Sequence, residues 1–182
     1  MWKIHGIRQL DALDNEAFAS ILLCYEVDAG LINSFSESFN SLNERFGHTW
    51  HLCLPGYDPL SNVERVYSEN YNYVTAAAYI RHSNLPRNSA PCIAFAFGPK
   101  TEDQEYYTAQ YTIGYSLRTI ASSQNPRLLD DFLSLVSEDF EQYSDHGNYS
   151  QKAKCIFNAI NRFHKHCELD EPVIFGTGLQ LI

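Results

Sequence analysis

The chain has 182 residues, of which 45% are hydrophobic and 19% charged, enough for one domain with a substantial core and against disorder. Its 22 acidic and 13 basic residues leave a formal charge of −9. That balance argues against nonspecific nucleic-acid or anionic-membrane binding, since neutralising phosphates takes clustered Lys and Arg. A protein partner with a basic surface suits the sign of the charge.

In chain order, Trp2 to Ile7 reads as a short strand, and a short helix follows from Asp14. Met1 to Gly6 lacks the apolar run of a signal peptide, and no stretch approaches the ~18 apolar residues of a membrane span. Ile21 to Val27 is a continuous apolar run, the pattern of a central strand covered on both faces. Asp28-Ala29-Gly30 turns the chain. Leu31, Phe35, Phe39, Leu42 and Phe46 then recur at helical spacing, with Gly47 as the stop. His48 to Leu54 is the next strand, ended by Pro55-Gly56.

Asn62 to Arg81 shows helical periodicity through Val63, Val66, Tyr67, Tyr71, Val74, Ala77 and Ala78, interrupted by poor helix formers at Asn70 to Tyr73. A polar loop, Ser83 to Ala90, leads to Pro91 and the apolar strand Cys92 to Phe97; Gly98 to Gln104 reads as a charged loop. Tyr107, Ala109, Tyr111, Ile113 and Tyr115 alternate with mostly polar residues, as in a half-buried strand, with Gly114 as a bulge. Leu128, Leu129, Phe132, Leu135, Val136 and Phe140 define one helix. Ala153, Ile156, Phe157, Ile160 and Phe163 define another. Val173 to Phe175 is a last strand, followed by Gly176-Thr177-Gly178 and an apolar terminus. These elements predict a single α/β domain over 1–182, with a central mixed sheet of about five strands flanked by helices.

From residue 21 to 143 the order is strand, helix, strand, helix, strand, strand, helix, with Ala90-Pro91-Cys92-Ile93-Ala94-Phe95 at the third strand. That order resembles the thioredoxin-like fold, in which a proline, usually cis, precedes the third core strand beside the active site. The C-terminal helix and strand would be an addition to it. The resemblance implies a redox thiol at the start of the first helix, where the helix N-terminus lowers its pKa. Here that place reads Asp28-Ala29-Gly30-Leu31-Ile32-Asn33, so dithiol chemistry is absent. What it then implies is binding, at the Pro91 loop and the Asp28–Gly30 turn.

The five Cys residues are odd in number and form no CxxC pair, and Cys24, Cys53 and Cys92 lie in apolar runs. That usage points to a reducing, cytoplasmic setting. His51 and Cys53 share a strand face, and His164 and Cys167 a helix face. If the two segments meet, they supply two imidazoles and two thiolates to a tetrahedral zinc; the alternative is a core Cys and solvent-facing His. Cys92 with His82 is the other thiol candidate, against the alternative of a buried structural Cys. Asp130-Asp131 and Glu138-Asp139-Glu141 sit on helix faces, where adjacent acids are normally solvated. The lone Gly176-Thr177-Gly178 lacks the helix and third glycine of a phosphate loop.

No cofactor is called for, and no catalytic constellation stands out. The resulting expectation is a non-catalytic cytoplasmic binding or regulatory protein acting through protein contacts. Tyr71, Tyr73, Tyr107 and Tyr111, with Pro91, are the candidate contact residues, because Tyr anchors interfaces at low entropic cost. The competing role for these rings is packing between the sheet and its helices. The other classes in view are a thiol- or metal-dependent enzyme and a small-molecule sensor with a Tyr-lined pocket.

Overall fold

The computed structural model describes residues 2–4, 18–38, 41, 44, 50–56, 65–100, 109–123, 125, 127–142 and 149–177. Its strands are β1 (Trp2–Ile4), β2 (Phe18–Leu23), β3 (Trp50–Pro55), β4 (Cys92–Lys100), β5 (Ala109–Ser116) and β6 (Ile174–Thr177). Its helices are α1 (Ala29–Glu37), α2 (Tyr73–His82), α3 (Arg118–Ser122), α4 (Arg127–Gln142) and α5 (Tyr149–His166). The predicted α/β architecture is present. The strands form one six-stranded mixed sheet in the order β1-β3-β2-β4-β5-β6. β3 runs parallel to β1 and β2, and the β2–β4, β4–β5 and β5–β6 pairs are antiparallel.

The apolar run at Ile21 stops being strand at Leu23, four residues short of its sequence limit. Leu23 faces Cys92, and the residue before Cys92 is Pro91, which has no N–H to extend the ladder. Beyond that point the Leu22 carbonyl and the Cys24 N–H need another partner. Tyr71 supplies both: its hydroxyl donates to Leu22 O at 2.7 Å and accepts from Cys24 N–H at 3.0 Å. Glu26–Asp28 then form a single 3-10 turn ahead of α1.

The helix predicted from Asn62 begins only at Tyr73; Val63 lies outside the described residues. Asn side chains explain the delay, because they bond the backbone in place of a helical ladder. Asn70 Oδ1 accepts from Tyr67 N–H at 2.6 Å, closing a 3-10 turn at Ser68–Asn70. Asn72 Oδ1 accepts from Thr75 N–H at 3.0 Å and is the N-cap of α2. Tyr71 between them is extended and bridges to Gly56.

The two C-terminal helices follow the predicted stripes and pack as a pair over one face of the sheet. Phe95 meets Phe140 edge-on at 6.1 Å, Tyr115 stacks on Phe132 at 4.9 Å, and Phe132 meets Phe163 at 5.3 Å. Phe95 and Tyr115 therefore point to α4 and α5, and Gly114 points to the other face by strand alternation. Gly114 is not a bulge: it pairs in register with Ala94 and Phe175. A Cβ there would come 3.4 Å from Leu85 and 3.5 Å from Phe175, so its role is close packing. The irregularity in this ladder lies instead between Phe97 and Lys100.

Candidate functional site

A concavity lies where the start of α1, the loop before β4 and the α3–α4 connection converge. Its volume is about 880 Å³. Asp28, Gly30, Ser34 and Glu37 line it from the α1 side, Asn88 and Pro91 from the loop, and Arg118, Ser122 and Asp130 from α3 and α4.

Each wall is held by local bonding. Tyr25 N–H donates to Asp28 Oδ2 at 2.7 Å, which shapes the turn into α1 and leaves that helix without a side-chain cap. The Tyr25 hydroxyl donates to the Arg87 carbonyl, and Arg118 Nη2 donates to the Asn88 carbonyl at 2.6 Å. Leu117 N–H donates to the Pro91 carbonyl at 2.8 Å. The loop is thus tied to α1's leading turn on one side and to the end of β5 on the other, and its Ala90–Pro91 bond is cis. Three carboxylates, Asp28, Glu37 and Asp130, surround the cavity against one guanidinium, Arg118.

No Cys or His lines this cavity. Cys24 and Cys92 are fully buried. Burial, with the Asp28 charge adding to it, pushes the Cys24 thiol well up and the Cys92 thiol to about 12. A thiol held protonated is a poor nucleophile. Neither of these thiols is therefore activated for covalent chemistry.

Of the candidate contact residues, Pro91 lines this cavity. Tyr71 is completely buried and spends its hydroxyl on β2, so it is framework rather than surface. Tyr73 is half-buried beside it, with ring centroids 4.9 Å apart, and Tyr111 is half-buried on β5. Tyr107 lies outside the described residues.

Of the four proposed metal ligands, Cys53 and His164 are not brought together. Cys53 is buried on β3, its thiol raised to about 12 by burial, whereas His164 packs over Tyr115 of β5. β2 and β4 separate those strands. Three strand spacings amount to roughly 14 Å, beyond any shared ion. His164 already uses both ring nitrogens, Nε2 with Tyr115 Oη and Nδ1 with the Asp170 carbonyl. Cys167 is half-buried near the end of α5, and the side chain of His51 lies outside the described residues. Among the described residues no group of three or more His, Cys, Asp and Glu could hold a metal. His82, the suggested partner of Cys92, is exposed at the end of α2.

Sequence reasoning reached the Asp28–Gly30 turn and Pro91 but missed Arg118, Asn88 and Arg87. They lie in polar segments without periodicity, and only their long-range bonds mark them out. Among the described residues no helix is long and apolar enough to cross a membrane. No protein-family model, curated protein or solved structure matches the chain.

Proposed function

We propose that the chain is a non-catalytic, cytoplasmic binding protein whose cavity beside Pro91 holds a basic segment of a protein partner. The observation that carries this reading is the pinned loop. Asn88 and Pro91 are fixed beside the start of α1 by Tyr25, Leu117 and Arg118, so the cavity is formed before any ligand arrives. Preformed walls reduce the ordering cost of association. Three carboxylates against one guanidinium favour Lys or Arg in the ligand.

The element order supports reading the core as thioredoxin-like. β2, α1, β3, α2, β4 and β5 follow in sequence, with Pro91 directly ahead of β4. Asp28-Ala29-Gly30-Leu31 brings no thiol to the start of α1, and the nearest thiols are buried and protonated. Recognition without redox turnover is what remains of such a site.

The test is an amide-shift titration with two octapeptides, one of alternating Leu and Lys and one of alternating Leu and Glu. The expected result is saturable binding of the Lys peptide, with shifts at Gly30, Ser34, Arg118 and Ser122. Asp28→Asn with Asp130→Asn should weaken it about tenfold. No shift at those residues, or equal binding of the Glu peptide there, refutes the reading.

A further inference from the structure

We infer that a second furrow, which shares Tyr25 and Val27 with the first, is a docking site for an acidic peptide segment bearing an apolar anchor side chain. It encloses about 850 Å³ between the Tyr25–Asp28 turn and α2. Its walls differ from those of the first cavity in both polarity and charge.

The apolar part is unusually open. Val27, on the turn, is 90% exposed and Val74, on α2, is 68% exposed, and buried Ile80 lines the furrow with them. Val74, Ala77 and Arg81 fall at i, i+3 and i+7 on α2, so they form one stripe along the helix. Val74 to Arg81 spans about 10 Å of helix. The stripe therefore grades from an apolar first turn to a cationic last turn. Arg87, from the loop that follows α2, adds a second guanidinium to the lining. Tyr25 and Tyr73 complete the walls with aromatic surface.

Charge identifies the occupant. The chain carries −9 overall, and the first cavity is acidic, yet here Arg81 and Arg87 line the furrow with Glu26, while the carboxylates of Asp28 and Glu69 act with Glu26 at its Tyr73 end. Among the described residues neither Arg81 nor Arg87 makes an ion pair. Both are exposed, and Arg presents a planar fork that suits a carboxylate. A segment that buries an aliphatic side chain between Val27 and Val74 places a nearby Asp or Glu within reach of that fork. A basic side chain placed beside Arg81 and Arg87 would meet two like charges and is repelled.

The experiment uses the same two octapeptides with the full chain and reads different residues. The expected result is saturable binding of the Leu–Glu peptide, with shifts at Val74, Ala77 and Arg81. Arg81→Glu with Arg87→Glu should weaken it about tenfold or more; these side chains are exposed, and circular dichroism verifies the fold. Lys165→Glu, exposed on α5 and lining neither furrow, should leave it unchanged. Equal binding of the Leu–Lys peptide at Val74, Ala77 and Arg81, insensitivity to the double variant, absence of saturable binding, or shifts confined to Ser34 and Ser122 each overturns the inference. Because the two furrows report through separate residues, failure of one does not mimic failure of the other.

Discussion

The Tyr115 hydroxyl lies 2.7 Å from His164 Nε2, inside the core. On the far side of the ring, Nδ1 bonds the Asp170 carbonyl. A carbonyl only accepts, so Nδ1 carries a hydrogen, and in the neutral imidazole Nε2 accepts from Tyr115. One imidazole thereby joins β5, α5 and the turn leading to β6. Tyr115→Phe leaves Nε2 buried and unpaired and should cost about 1–2 kcal/mol. A double-mutant cycle with His164→Leu should return a coupling of about 1 kcal/mol by urea denaturation. Strict additivity would mean that the contact contributes nothing.

Tyr71 does at the end of β2 what a neighbouring strand would do. Tyr71→Phe leaves the Leu22 carbonyl and the Cys24 N–H without their partner. A loss of about 2–3 kcal/mol in stability is expected, from two buried backbone groups left unsatisfied. The ring itself stays, so the urea midpoint should fall with little change in slope. An unchanged midpoint would show that water replaces the hydroxyl at no cost.

Burial raises the thiols of Cys53, Cys92 and Cys155 to about 12, and Cys24 is raised in the same direction. In the unfolded chain they ionise near the ordinary value of 9.0. Between those limits the unfolded state has lost protons that the native state keeps, so rising pH favours unfolding. Their contribution is intact below pH 9 and declines toward pH 12. Buried Tyr71 and Tyr115 add the same sign at still higher pH. Urea midpoints should hold from pH 7 to 8 and fall steadily above 9. Iodoacetamide at pH 7.5 should modify half-buried Cys167 first. Rapid labelling of Cys92 in the native protein would reopen thiol chemistry at the Pro91 loop.

Because β2 and β4 stand between Cys53 and His164, zinc should find no shared site at them. Adding equimolar zinc, or removing metal with a chelator, is expected to leave the melting temperature unchanged. A one-to-one zinc complex abolished by both Cys53→Ser and His164→Leu would contradict the strand order.

Gly114 is a packing residue, and its substitution should grade with size. The Cβ of Gly114→Ala would lie 3.4 Å from Leu85 and 3.5 Å from Phe175, so a cost below about 1 kcal/mol is expected. Gly114→Val drives methyl groups into both neighbours and should cost about 1–3 kcal/mol. Faster amide exchange at Phe175 and Gly176 in the Val variant would show that the β5–β6 pairing bears the strain; unchanged exchange would place it elsewhere.

The stripes of α4 and α5, the alternation in β5 and the turns at Asp28 and Pro91 were readable because each is a local property. A 3.6- or 2-residue period needs only neighbours in sequence to reveal which face is apolar. The mixed α/β class followed from the order of those elements, and the acidity from composition alone. Tertiary structure decided the rest. Tyr71, Tyr79 and Tyr115 look like Tyr73 in sequence, yet the first three are buried and only Tyr73 lines a furrow. The Cys53 and His164 segments look equally able to meet, and two intervening strands keep them apart. Arg118 reaches Asn88 across 30 residues, and Tyr25 reaches Arg87 across 62. Such pairings are fixed by how the chain closes its long loops and satisfies each buried polar group, which no short window of sequence encodes.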